Sequence, residues 1–195
     1  MYLAAGEPRA ALAILNQRIA DALPAAVEAA AAPGGAAAPA ARALERLLAR
    51  GREAAAALAG SADASGRREA EAFAALLSVR ELLAAARGGR HEAALGALRS
   101  LPFLPFERDR AEAAAREAAY LHPALAERLA DVLSAAAVSM QSLPAARGGA
   151  AGAAAEQALA REGIDALVAF ANAAPMRLPP SVYQKLAECK TALMG

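Results

Sequence analysis

The sequence has 195 residues, 57% of them apolar and 21% charged, with 21 basic against 20 acidic side chains and a formal charge of +1. That length permits one ordinary domain with a real core and does not require two. The well-mixed charge gives no footprint for nucleic acid or an anionic membrane, and no apolar run reaches the roughly 20 residues of a membrane span.

Roughly one residue in three is alanine, which favours helix but buries little surface. The core must rest on Leu, Ile, Val and Phe, with alanines letting helices approach closely. The one cysteine excludes an internal disulfide and suits a reducing compartment.

The first residues lack the basic start and apolar centre of a secretory signal. Tyr2 and Leu3 before Ala-Ala-Gly read as the last turn of a helix ending at glycine. A fragment of a longer chain or a truncated start is therefore expected, the alternative being a short leader. Glu7-Pro8 opens a helix, proline being tolerated in the first turn, and Leu12, Leu15, Ile19 and Leu23 follow on one stripe. The alanine-rich segment from Ala22 to Ala41 is interrupted by Pro24, Glu28, Pro33 and Pro39. Flexible connectors are expected near 31–40, 59–66 and 144–152.

A second helix is predicted from about Arg42 to Leu58 on Leu44, Leu47, Leu48 and Leu58, weakened in its middle by Gly51. Asp63 or Ser65 is placed to cap the next helix. That long helix carries Phe73, Leu76, Leu77, Leu83 and Ala84 on one face and Val79 and Leu82 on the other. Apolar on two sides, it should be sandwiched between neighbours. Gly88-Gly89 then turns the chain into a shorter antiparallel helix bearing Leu95 and Leu98. Leu101-Pro102-Phe103-Leu104-Pro105-Phe106 follows as a stiff, extended exit. It is either a loop buried between helices or a partner-docking edge presenting Phe103 and Phe106.

Glu107 to Tyr120 is helical by propensity but nearly without large apolar residues, so it should pack through alanines. His122-Pro123 bounds a five-turn amphipathic helix on Leu125, Leu129, Val132, Leu133, Ala136, Met140 and Leu143. Another helix runs from about Ala153 to Ala173 with Leu159, Ile164, Leu167, Val168 and Phe170, interrupted or bent near Gly163. Met176 to Pro180 forms a rigid link to a last helix with Val182, Leu186, Cys189 and Leu193 on one face. Gly6 to Leu12 with Leu15 echoes Gly89 to Leu95 with Leu98, a spacing found in helical repeats. The fold expected is all-α, antiparallel helical pairs stacked as an α-solenoid of about eight helices, in a single segment over 1–195.

Chemistry is sparse. His91 and His122 have no neighbouring ligands at metal spacing and read as solvated or capping residues. Cys189 lies on an apolar stripe and reads as a small core residue. Carboxylates such as Glu112, Glu117, Glu127 and Asp131 interleave with Arg108, Arg110, Arg116 and Arg128 as a solvated helix face. No glycine pair follows a strand or carries the lysine of a phosphate loop. No catalytic residue, cofactor site or metal site is expected, and no enzyme.

Four places in order carry a family resemblance. They are Tyr2-Leu3-Ala4-Ala5-Gly6 running into Ala11-Leu12-Ala13-Ile14-Leu15-Asn16; Leu95 to Phe106; the Leu125 to Met140 helix; and Leu167-Val168-Ala169-Phe170-Ala171 leading to Pro175-Met176-Arg177-Leu178-Pro179. Taken together they resemble the C-terminal part of the nucleoporin interacting component family, the linker scaffold of the nuclear pore inner ring. Met176 stands where that family commonly has an aromatic residue.

The resemblance implies an α-solenoid at the nuclear envelope that binds other inner-ring nucleoporins through short linear segments. It implies one piece of a large multi-copy assembly supporting nucleocytoplasmic transport, with no cofactor, no transmembrane segment and no direct nucleic-acid contact. The alternative is a generic tetratricopeptide-like adaptor, which would gather Lys, Arg or Asn on one concave face. The sequence shows no such cluster.

Overall fold

The computed structural model describes residues 7–31, 38–59, 63–146 and 150–194. Among them are nine α-helices, one 3₁₀ turn and no strand. The helices are α1 (Pro8–Ala31), α2 (Ala38–Leu58), α3 (Ala64–Arg87), α4 (His91–Arg99), α5 (Ala111–Ala118), α6 (Pro123–Ala126), α7 (Leu129–Ala146), α8 (Ala150–Ala173) and α9 (Pro180–Met194), with the 3₁₀ turn at Arg108–Arg110. The expected all-α class is observed.

Contacts group the chain into two compact units. Unit 1 takes residues 1–80 together with His122–Arg128, and unit 2 takes Glu81–Leu121 and the chain from Leu129 onward. In unit 1, α1 packs against α2 and against the short α6. Leu12, Ile19, Leu23 and Leu48 are fully buried there, joined by Leu15, Leu44 and Leu58.

Helix α1 continues through Pro24 to Ala31, beyond the stripe read as far as Leu23. Proline removes one N–H donor and strains one turn. Burial of Ala26 and Val27 beyond it carries the helix on. Pro39 likewise sits in the first turn of α2, where its missing donor costs nothing.

The connectors expected near 31–40, 59–66 and 144–152 are only partly loops in the described residues. Ala38–Ala40, Ala64–Gly66 and the stretches 144–146 and 150–152 are helical, as alanine's propensity favours. Residues 32–37, 60–62 and 147–149 lie outside the described residues, as does the glycine-ended opening at 1–6.

Local chemistry explains the ends of α3. The Asp63 carboxylate accepts the N–H groups of Ser65 and Gly66, both at 3.1 Å, two of the donors a helix start leaves unpaired. At the other end Gly89 adopts φ +67°, the left-handed conformation glycine enters without a Cβ penalty. Arg90 N–H then donates to Ala85 O at 2.9 Å and Gly89 N–H to Ala86 O at 3.2 Å, which closes the helix. Phe73, Leu76, Val79, Leu82 and Leu83 of α3 are buried, whereas Leu77 and Ala84 are half-buried. The two-sided apolar face is therefore real but its members are rearranged.

Unit 2 is centred on α7 and α8. Helix α4 and α9 pack on α7, and α5, α9 and the 3₁₀ turn pack on α8. Leu98, Leu129, Leu133, Ile164, Leu167 and Phe170 are fully buried. Helix α5 packs through Ala111, Ala114, Ala115 and Ala118, the alanine-only interface its sequence required. Helix α9 buries Val182, Leu186, Cys189 and Leu193. One of its last carbonyls, Leu193 O, accepts from both the Gln157 and the Arg161 side chains of α8.

Three expectations are corrected. The five-turn helix from Pro123 is two helices, α6 and α7, parted at Glu127–Arg128. There Arg128 N–H donates to Leu125 O at 3.1 Å, a tightened last turn, so the apolar stripe continues while the backbone does not. Helix α8 is continuous past Gly163. The Leu101–Phe106 step is not extended, because Leu104 N–H donates to Leu101 O at 3.3 Å and Pro102 presets the turn.

Candidate interaction site

The residues singled out as core fall into two groups. Leu76, Leu98, Leu125, Leu129, Leu133, Leu167 and Phe170 are buried. Leu77 and Leu95 are half-buried, and Leu159, read as an apolar member of its helix, is 68% exposed. Of the two aromatic residues on the proposed docking edge, Phe103 is buried and only Phe106 is half-open to solvent. Leu77 lies elsewhere, on α3, but the other three less buried side chains come together. Leu95, Phe106 and Leu159 line one groove in unit 2, with a volume of about 520 Å³.

Helical spacing assembles that groove. On α4, Glu92, Leu95 and Arg99 stand three and four residues apart and share a face. On α8, Glu156, Leu159, Ala160 and Gly163 do the same. Met140 of α7 forms the floor. Its sulfur fits because residue 163 is glycine, where a Cβ would lie 2.8 Å from Sδ. Phe106 and Glu107 close one side, and Glu162 joins the rim. An apolar floor is thus framed by the carboxylates of Glu92, Glu107, Glu156 and Glu162 and by one guanidinium, Arg99.

Unit 1 holds a second hollow, of about 530 Å³, between α1 and α2. Arg18, Arg46 and Arg50 surround Leu47 there, with Asp21 the one acid among the lining residues. The whole-chain charge balance concealed this cluster. The spacing of Arg42, Arg46 and Arg50 on one face of α2 is the signal that could have revealed it.

A buried polar cluster also lies within unit 1. Asn16 of α1 is fully buried and its Nδ2 donates to Glu69 O at 3.0 Å and to Glu69 Oε2 at 2.9 Å. The same carboxylate oxygen lies 3.1 Å from His122 Nε2. His122 Nδ1 accepts Ala124 N–H at 3.3 Å, so the ring proton sits on Nε2 and is donated to Glu69. With side chains 12% and 17% exposed, His122 and Glu69 tie α3 to the start of α6. His122 is thus a capping histidine. His91 begins α4 and is half-buried.

No group of three or more His, Cys, Asp or Glu gathers as a metal site among the described residues. Cys189 is buried, and burial pushes its thiol above the ordinary value of 9.0, with Lys185 opposing and Glu188 adding to the shift. Such a thiol is a poor nucleophile at neutral pH. The solvated charge faces behave as surface pairs, Arg116 lying 3.5 Å from Glu112 on α5. Among the described residues no helix is long and apolar enough to cross a membrane.

Fold and site together define an all-helical protein whose outward features are grooves between helices, a form suited to holding other chains. A family model described as Nup93/Nic96 matches residues 1–185, and the chain belongs to that family. No curated protein matched the sequence. The chain is accordingly a scaffold nucleoporin, a component of the nuclear pore complex at the nuclear envelope. Its family is a structural one that binds other nuclear pore components.

Proposed function

We propose that this chain is part of the inner-ring scaffold of the nuclear pore, a stacked α-solenoid that holds other inner-ring nucleoporins through short linear segments. Its contribution to nucleocytoplasmic transport is structural and not catalytic, as one piece of a multi-copy assembly without direct nucleic-acid contact. The observation that carries this reading is the family match over residues 1–185. Support comes from the all-helical fold and from the apolar groove of unit 2, since a helical groove is a common receptor for linear segments. Cross-linking followed by affinity isolation from the protein's own cells tests it. Other inner-ring nucleoporins should be recovered with the chain, and recovery of unrelated soluble proteins alone would refute the reading. A tetratricopeptide-like adaptor is the second reading, favoured by the arginine-lined hollow of unit 1.

A further inference from the structure

The hollow between α1 and α2 is small and positively charged. Ala22, Ala43 and Leu47, each half-buried, line the seam between the helices, and two of the three are too short to fill it. Arg18 on α1 and Arg46 and Arg50 on α2 line it too, all three exposed. Asp21 is the one acid among the lining residues. Its Oδ1 accepts Gln17 Nε2 at 3.3 Å, so one negative charge faces three positive ones. Among the described residues Arg18 and Arg50 have no ion pair, and Arg46 engages only Nε, on Arg42 O at 3.3 Å. Glu45, next to Arg46 in sequence, is turned one helical step away and pairs with Arg80 of α3. Arg42, Arg46 and Arg50 therefore repel one another at four-residue spacing, and an anion in the hollow relieves that repulsion.

The shape narrows the choice of anion. An acidic peptide needs apolar anchors to offset the ordering of its chain, and Leu47 is the one large apolar residue lining the hollow. Single-stranded nucleic acid needs a basic track with rings on which bases stack, and no aromatic residue lines it. A compact, rigid anion with closely spaced charges fits better, because guanidinium forks match phosphate oxygens two at a time. The volume of about 530 Å³ falls within the roughly 300–1,000 Å³ usual for small-ligand sites. We propose that the hollow of unit 1 binds a small polyphosphate, an inositol polyphosphate or the same group carried on a lipid, gripped by Arg18, Arg46 and Arg50. This site is additional to the scaffold role and is decided separately from it.

The test uses the full chain and isothermal titration calorimetry. Inositol hexakisphosphate should bind at a single site, at least about tenfold tighter than inorganic phosphate, and weaken as salt rises. Arg18→Gln and Arg50→Gln should each weaken it about tenfold. Arg50→Lys keeps the charge but loses the fork, so its affinity should fall between those of Arg50→Gln and the parent. Arg177→Gln removes an exposed cation of unit 2 and should leave binding unchanged. Positions 18 and 50 are exposed, so both variants should keep the parent's helical signal and melting temperature.

Absence of saturable binding overturns the proposal, as does indifference to both Arg18→Gln and Arg50→Gln, or an equal loss in Arg177→Gln. A hexaglutamate peptide bound as tightly as inositol hexakisphosphate assigns the hollow to an acidic segment and overturns it too. Vesicles separate the two sources of the ligand. Retention of the chain on phosphatidylcholine vesicles carrying phosphatidylinositol bisphosphate, lost in Arg50→Gln, assigns a lipid headgroup. No retention there, beside tight binding of the free probe, assigns a soluble polyphosphate. Equal retention on vesicles carrying phosphatidylserine shows unspecific attraction to a charged surface and overturns the proposal.

Discussion

Gly51 shows how much one residue can carry. It lies in the middle of α2, where glycine costs about 1 kcal/mol of helix propensity against alanine. It is nevertheless buried, and a Cβ at that position would lie 2.3 Å from Cε2 on the ring edge of Phe73. Phe73 is itself buried, so its ring would have to shift within the core. The overpacking term, about 1–3 kcal/mol, therefore exceeds the propensity gain. Gly51→Ala should lower the stability of the chain. Gly96, in the interior of α4, has no neighbouring atom within 4 Å of where a Cβ would stand, so Gly96→Ala should raise stability by up to about 1 kcal/mol. Thermal melts of the two variants should shift in opposite directions, and equal shifts would refute the packing argument. From the sequence, Gly51 read only as a weak point in its helix and Gly96 carried no signal of its own. Only the neighbour from another helix separates them.

The elements follow local rules at their ends and tertiary rules in their middles. Asp63 was legible as one of two candidate caps, beside Ser65, because a short acceptor stood before a long helical pattern, and the structure selects it. Asp63→Ala leaves two N–H groups of α3 without their acceptor and should cost about 1 kcal/mol. Asp63→Asn should retain most of that, with denaturant midpoints as the measure. The Gly88-Gly89 turn was legible for the same local reason. The break between α6 and α7 was not, because the leucine stripe runs on across Glu127–Arg128. Periodicity reports which face is apolar, not whether the backbone is continuous. The passage of α1 through Pro24 was not legible either, since propensity counts the lost donor but not the burial of Ala26 and Val27 that holds the helix together.

At the scale of the whole molecule the division into units cuts across the order of the chain. Unit 1 takes His122–Arg128 from between two stretches of unit 2. That segment supplies the buried Leu125 and the imidazole bonded to Glu69. Residues 1–80 made alone would lose both. Leu125 alone is worth about 1.5–3 kcal/mol of burial, and the Glu69 carboxylate would keep Asn16 as its buried partner but lose His122. The fragment should melt below the full chain by circular dichroism and with a broader transition. A fragment as stable and as cooperative as the full chain would show that α6 is dispensable to unit 1.

The sequence by itself determined the all-helical class, the caps and turns of α3, the alanine face of α5 and the stripe of α9. Each of these depends on residues within a few positions of one another, where propensity and helical period act. The resemblance carried by the ordered segments up to Pro179 was legible there too. Tertiary structure alone decided which apolar residues are surplus to the core. Leu159 belongs to the same helix as the fully buried Ile164, Leu167 and Phe170, yet it faces a groove whose other walls come from α4, α7 and the Leu101–Phe106 turn. Whether a leucine is core or surface depends on what lies opposite it, and that partner is set by contacts far away in the chain.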